Sequence, residues 1–572
     1  SEWRSAVKAG QLRWIDSICY STMMGECYYH MGDLPQALEN YTAAVNLFLN
    51  YPDWMIRVRF SGIQVARASP QTPWGASTRG SQLGHYPTRT PMLQGSVDTS
   101  MRYKDGGMVQ QPMMYPVEVH EIVRCTVLAI RRRAELLGPL SKYDALNRKV
   151  LTAVQQPITQ RNHWSQAYAD AELGVALLAN GRDAQAATAL TRAAVAQGQF
   201  DHHLTATVLL ELGKLSLRQG NNPVAAKAFL EATYAAFHSE DLGVMEEAFR
   251  YASLAYLLAN KKGVFPPLVL ATPWAQTKNW RQLRASLLLS SAEGTLSAGQ
   301  TPQGVALLDE ATKTIANRTM AAGWIGARLH YLRSVAQFQA RRVDLGEQSL
   351  AEALKYMQAG SHWLFHIAQV DGAVMSNALT SRNAVDLYQD VLREPQPADW
   401  AWDPLECLAV LVSPHPEAME RWFLSTLQRA DRDAALATAL EVSDRARRHR
   451  FFCTLALGGR LHALRWVLEA PADALDKKAL AQRQDLLADF PAYQTLQQQV
   501  KQVQQRLEKM ALAPQDAEIA RQQSGLFADL GKLSLQQEAI LREMAVRRVS
   551  ADLLFPPLRP TSSSSIQAWA VV

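Results

Sequence analysis

The chain has 572 residues, too many for one hydrophobic core, so several domains or a repeat array are expected. With 48% hydrophobic and 20% charged residues its usage is that of a globular protein, which excludes a disordered or fibrous chain. A net charge of +6 is small for this length, so nucleic-acid binding would require that charge to be gathered on one face.

The opening "SEWRSAVKAG" has neither the n-region nor the h-region of a signal peptide and begins in helix-like sequence. No apolar stretch approaches the ~18 residues of a membrane span. The chain looks trimmed at both ends, so a cytoplasmic location is expected while export of a longer parent stays open. Cys19, Cys27, Cys125, Cys407 and Cys453 are odd in number, scattered and free of C-x-x-C spacing. Reduced, buried thiols fit this better than disulfides or a zinc site.

Along the chain, the first pattern is a repeat. In "MGECYYHMGDLPQALENYTAAV", Met24, Gly25, Tyr28, Ala37, Tyr41 and Ala44 stand at set intervals. The intervals recur at Leu173, Gly174, Leu177, Ala186, Leu190 and Ala193, and again at Leu212, Gly213, Ser216, Ala225, Phe229 and Ala232. Small residues at two of these places let two antiparallel helices approach closely, and the large residue fills the space between them. The breakers "HMGDLP", "ANGRDA" and "RQGNNP" each carry Gly and a polar turn residue between the helices. The pattern resembles the tetratricopeptide repeat (TPR), which implies an all-α solenoid of helix pairs whose first helices line a concave groove. Gly304, Leu308, Ala311 and Gly346, Leu350, Ala353 keep the second-helix half and lose the first. Repeat helices are thus expected over 1–68 and 116–450.

Residues 69–115 interrupt the array with Gly, Pro, Ser and Thr and no helical period. Trp74, Tyr86, Arg79 and Arg89 in it are candidates for ligand contact, while an ordered arm packed on neighbouring helices is the expected reading.

From about residue 433, Ala435, Ala439, Val442 and Ala446 form one helical stripe opposite an Arg-rich face. Leu496, Val500, Val503, Leu507 and Met510 then alternate by four and three, an a/d seam. Pro514 breaks it and a second long helix follows, so 451–550 reads as a coiled-coil helical hairpin. Residues 551–572 form an extended tail, and its end, Ile566 to Val572, is a strand-like run in need of a sheet to join.

Chemistry-bearing patterns are sparse. There is no G-x-S-x-G, H-E-x-x-H, P-loop or G-x-G-x-x-G. His202 and His203 are adjacent, point about 100° apart on a helix and are expected at the surface. Cys453, near His449 and His462, lies in the apolar "FFCTLAL" and reads as an inert buried thiol. The run "RARRHR", Arg445 to Arg450, lacks an aromatic platform, which disfavours nucleic acid and favours a solvated helix face or one that docks an acidic neighbour. Lys214 and Arg218, one turn apart on a first helix, would project into the groove and could hold an acidic peptide or a terminal carboxylate. The neighbouring copy has Val175 in the place of Lys214, so no charged clamp is assembled. No catalytic, cofactor or metal residues are assigned.

The order of repeat array, "ALEVSDRARRHRFF", Gln-rich hairpin and closing strand resembles bacterial TPR proteins that carry a CHAT domain, a caspase-like peptidase module. That family's A-x-E-x-x-(E/D)-R-x-R segment corresponds to Ala439, Glu441, Asp444, Arg445 and Arg447. The resemblance implies a non-enzymatic sensing and scaffolding arm that binds a protein or peptide in the groove and restrains its own C-terminal peptidase domain, the tail being that domain's first strand. Its catalytic His and Cys have no counterpart here. A free-standing TPR adaptor for assembly or secretion is a second reading. A third is the effector domain of a regulator, since the step from Gly174 to Gly213 exceeds the usual ~34 residues.

Overall fold

The computed structural model describes residues 15–66, 70–93, 114–159, 162–259, 261–315, 318–429 and 431–548. The fold is all-α, and the chain forms two compact units. One comprises Ser1–Ala298 and Ala306–Gly326, the other Gly299–Val305 and Ala327–Val572. The strand expected over 566–572 lies outside the described residues. Among the described residues no helix is long and apolar enough to cross a membrane.

The first unit begins with helices α1 (Ile18–Met31) and α2 (Leu34–Asn50). Between them Gly32 takes a left-handed conformation, the Asp33 side chain accepts from the Gln36 N–H, and Pro35 occupies the first turn of α2. Strands β1 (Gln64–Val65), β2 (Gln82–His85), β3 (Thr90–Leu93) and β4 (Met114–Val117) follow. Then come α3 (Val119–Leu137), α4 (Ala145–Val154), α5 (Gln166–Ala179) and α6 (Asp183–Ala193). Strand β5 (Phe200–Asp201) precedes α7 (Thr205–Arg218), α8 (Asn222–Ser239) and α9 (Leu242–Leu258). The series continues through α10 (Leu268–Thr277), α11 (Arg281–Ser297), α12 (Thr301–Thr314) and α13 (Arg318–Ala322).

The three sequence copies are the pairs α1–α2, α5–α6 and α7–α8, and one contact recurs in all of them. A Cβ added to Gly25 would stand 2.6 Å from the Tyr41 ring, one on Gly174 2.5 Å from Leu190, and one on Gly213 2.5 Å from Phe229. These glycines therefore set the distance between paired helices. Ala37, Tyr41 and Ala44, Ala186, Leu190 and Ala193, and Ala225, Phe229 and Ala232 are all fully buried. Met24, Tyr28, Leu173 and Leu212 are half-buried. In the weaker copies the place of Gly25 is held by Ala292 and Ser334, both fully buried. The small-residue requirement persists there without the glycine that makes it visible in the sequence.

The described part of 69–115 lies against the helices. β2 pairs antiparallel with β1 and parallel with β5, and β3 pairs antiparallel with β4. Trp74 is buried, its Nε1 donates to Thr233 Oγ1 at 3.0 Å, and its ring meets Phe237, Phe249 and Trp274 edge-on.

The second unit contains α14 (Trp324–Gln339), α15 (Val343–Gly360), α16 (His362–Met375) and α17 (Ser381–Val391). Next are α18 (Pro397–Trp402), α19 (Pro404–Val412), α20 (Pro416–Leu427) and α21 (Arg432–Phe452). It closes with α22 (Arg460–Glu469), α23 (Lys477–Asp489), α24 (Pro491–Glu508) and α25 (Ala517–Val546). The last two pack as a hairpin in which Leu496, Val500, Val503, Leu507 and Met510 are only half-buried, because two helices cover a seam from one side. The final turns of α25 are buried instead. Arg460 Nε donates to the Ala545 carbonyl at 2.8 Å while its guanidinium lies 3.6 Å over the Trp400 ring. Tyr331 donates to the Val546 carbonyl at 2.6 Å. Burial lowers Arg460 to about 10, so it stays charged at neutral pH and caps the negative end of α25.

Gly213→Ala tests the close approach. It should destabilise the first unit by about 1–3 kcal/mol in urea unfolding through overpacking on Phe229, despite the gain of about 1 kcal/mol in helix propensity. Gly531→Ala in α25, where an added Cβ meets nothing within 4 Å, should be neutral or stabilising by up to about 1 kcal/mol. Equal effects of the two substitutions would contradict the assignment.

Candidate functional site

The inner side chains of α1, α3, α7 and α9 meet in a buried ionic cluster. Arg131 donates to Glu247 at 2.9 Å and to Glu211 at 3.3 Å. Arg132 donates to Glu26 at 3.1 Å, to Glu135 at 2.8 Å and to Glu247 at 3.4 Å. The hydroxyls of Tyr41 and Tyr29 donate to Glu26 and Glu135. Lys214, expected to face an open groove, has a side chain only 13% exposed, with its ammonium 2.5 Å from Glu247 and 3.3 Å from Glu211. Arg218 remains half exposed, 3.7 Å from Asp183. Lys214 thus holds α7 to α9. Of its two carboxylate partners, Glu211 stands three residues before it on α7 and Glu247 comes from α9.

Burial alone would raise the Glu26 carboxyl, but the Arg132 guanidinium, His30 and Tyr41 outweigh it and hold the group at about 2. Burial likewise pushes Glu247 up, and Arg131, Lys214, Arg132 and Arg250 together hold it well below the usual carboxylate range. Both carboxyls ionise at lower pH in the folded chain than in the unfolded one. Their contribution is therefore complete above the ordinary value of 4.5 and is lost as pH falls toward 2.

One member of the same series has no partner. Glu172 on α5 stands two residues before Gly174, as Glu211 stands two before Gly213, but Val175 replaces Lys214 beside it. It is 0% exposed, and both carboxyl oxygens lack a hydrogen-bond partner. Burial pushes it up to about 8, so the folded chain carries it protonated at neutral pH.

The inserted segment's polar residues contact the protein itself. Arg79 pairs with Asp201, the Tyr86 hydroxyl donates to the Asp201 carbonyl at 3.0 Å, and exposed Arg89 pairs with Glu118 at 3.3 Å. The Tyr86 ring packs on Trp164 and His203. His202, expected at the surface, is buried, and His203, expected there too, is half-buried against Tyr86 of this segment. His202 Nε2 is 2.6 Å from the Ala193 carbonyl, and His203 stacks on His120 at 4.7 Å. Burial lowers His202 to about 4 and His203 to about 3. His202 is enclosed by Ala193, Tyr168 and Thr205, and His203 by His120 together with Tyr86 of the insertion.

In the second unit the run "RARRHR" divides. Arg445, Arg448 and His449 turn inward and help line a cavity of about 40 Å³ with Arg393, Glu394 and His415. Arg447, 77% exposed and paired with Asp444, and Arg450 face out, as does Glu441. Ala439 is buried. His415 and His449 stack at 4.9 Å, and their Nε2 atoms lie 3.2 Å from the Val410 carbonyl and 2.9 Å from the Ser413 carbonyl. Each Nε2 therefore carries the proton. Burial and the adjacent ring lower His415 to about 4, and burial lowers His449, so the pair is neutral at pH 7. Cys453 is half-buried with its thiol donating to the Arg450 carbonyl at 3.4 Å, while the His449 ring is turned to Ser413 and His415. Among the described residues no group of three or more His, Cys, Asp or Glu is arranged to hold a metal ion.

No family model, curated protein or solved structure matches the chain.

Two outcomes are expected. Glu247→Gln should cost the first unit about 3–5 kcal/mol in urea unfolding at pH 7, because it leaves Arg131 and Lys214 buried with less charge compensation. The loss should shrink at pH 3, and an equal loss at both would refute the ionic account. Glu172→Gln should do the opposite. The unfolded chain releases this proton near 4.5 and the folded chain near 8, so wild-type stability falls as pH rises between them. The variant should gain about 2–3 kcal/mol at pH 7 and almost nothing at pH 4.5.

Proposed function

We propose that this chain is a non-catalytic scaffold that binds a protein or peptide partner, acting as the TPR-type arm of a CHAT-family peptidase protein whose catalytic domain lies outside these 572 residues. The observation that carries the scaffold reading is the Gly-to-large-residue contact repeated in α1–α2, α5–α6 and α7–α8. Such repetition builds extended surface from like units, and surface is what interaction arrays supply. The inner face at α1, α3, α7 and α9 is filled by the ionic cluster, which argues against a peptide bound between those helices. In the second unit Leu424 and Leu427 on α20 and Leu436 and Leu440 on the adjacent α21 are exposed, which supports partner contact there. Support for the family reading is Ala439, Glu441, Asp444, Arg445 and Arg447 on α21, with the hairpin of α24 and α25 after them.

Affinity purification with the wild-type chain should retain proteins that a Leu436→Glu, Leu440→Glu double variant loses while its helical circular dichroism is unchanged. An identical set of retained proteins would remove α20 and α21 as the contact. The peptidase association has its own test: a reading frame extended past Val572 should confer thiol-dependent proteolysis, and a frame that ends there abolishes that part of the reading.

A further inference from the structure

We infer that the cavity beside α21 is a binding site for a small tetrahedral oxyanion of the phosphate type. The inference does not depend on the scaffold reading. Its lining carries three guanidinium groups, Arg393, Arg445 and Arg448, against a single carboxylate, Glu394, and the two imidazoles are neutral. Each guanidinium has one carboxylate partner, Asp399, Glu441 and Glu394, so the pull on an anion comes from N–H donors left unmatched on two of them, strengthened by the apolar walls of Leu392, Val410 and Met419.

The two α21 arginines are only weakly engaged by the protein. Arg445 reaches Glu441 at 3.4 Å, and that carboxylate is 70% exposed. Arg448 reaches Glu394 at 3.4 Å. Arg445 Nε and Nη1 and Arg448 Nε are buried with no acceptor. Buried guanidinium N–H groups without acceptors are unfavourable, and an oxyanion offers several acceptor oxygens within one small group. Arg393 is different: its guanidinium is held by Asp399 at 2.8 Å. The Arg445 guanidinium also lies 5.3 Å over the Trp422 ring, which fixes its plane.

Size limits the occupant. The cavity holds about 40 Å³, room for about three water molecules, which suits a group the size of phosphate, and its open side leaves an ester-linked remainder outside. The phosphate could be free or the head of a small monoester.

The test is calorimetric titration of the full chain at constant ionic strength with inorganic phosphate, phosphoserine, acetate and chloride. Saturable binding of phosphate, alone or together with phosphoserine, is expected, and the phosphoserine arm separates a free anion from a monoester. Arg448→Gln should weaken it by about tenfold or more, the worth of a charge-assisted hydrogen bond. Arg445→Gln should do the same, and Arg448→Gln keeps the test valid if the Arg445 variant fails to fold. Arg447→Gln, on the outer side of the same helix, should leave it unchanged. Absence of saturable binding, an equal effect of Arg447→Gln, or tighter binding of acetate than of phosphate would overturn the assignment.

Discussion

The first unit is organised around the Glu247 carboxylate, which lies within 3.4 Å of Arg131, Arg132 and Lys214. A carboxylate this deep is tolerable only when several cations surround it, and those cations come from α3 and α7. Arg132 carries the connection on to Glu26 of α1. Four helices remote in sequence are thereby held to one mutual placement, because slipping any one would strand a charge in a low dielectric. Apolar contacts alone would tolerate several such placements.

Around that centre, the helix pairs are set by sterics of a different kind. Gly25, Gly174 and Gly213 each admit the face of a large residue from the partner helix, and the contact leaves no room for a methyl group. The pairs are therefore local and alike, while the ionic cluster is non-local and particular. Glu172 shows the two levels in conflict. The repeat carries a glutamate into α5 as it does into α7, but Val175 leaves it without the lysine that Glu211 has. The group is then accommodated by protonation.

The second unit depends on cationic side chains set against carbonyls and rings. Arg460 caps α25 on Trp400, and the stacked His415 and His449 each give their one proton to a backbone carbonyl. Arg445 and Arg448, which like Arg460 keep buried N–H groups without an acceptor, are set apart by the cavity that adjoins them.

The sequence by itself determined the helical class, the helix pairs with their Gly, Ala and large-residue spacing, and the hairpin with its seam. These follow from periodicity and from contacts a few turns apart, which a linear pattern encodes directly. It also showed the chemistry-bearing run on α21, but not which of its arginines turn inward. The burial of the Lys214 side chain and of His202, the packing of His203 on Tyr86, and the cavity that Arg445 and Arg448 share with His415 come instead from tertiary contacts. Each of these depends in part on a group from another helix or segment: Glu247 for the lysine, Tyr86 for His203, Glu394 and α19 for the arginines. The physical reason is that burial and charge pairing are properties of a site in space, and spacing along the chain carries no information about which distant group arrives there.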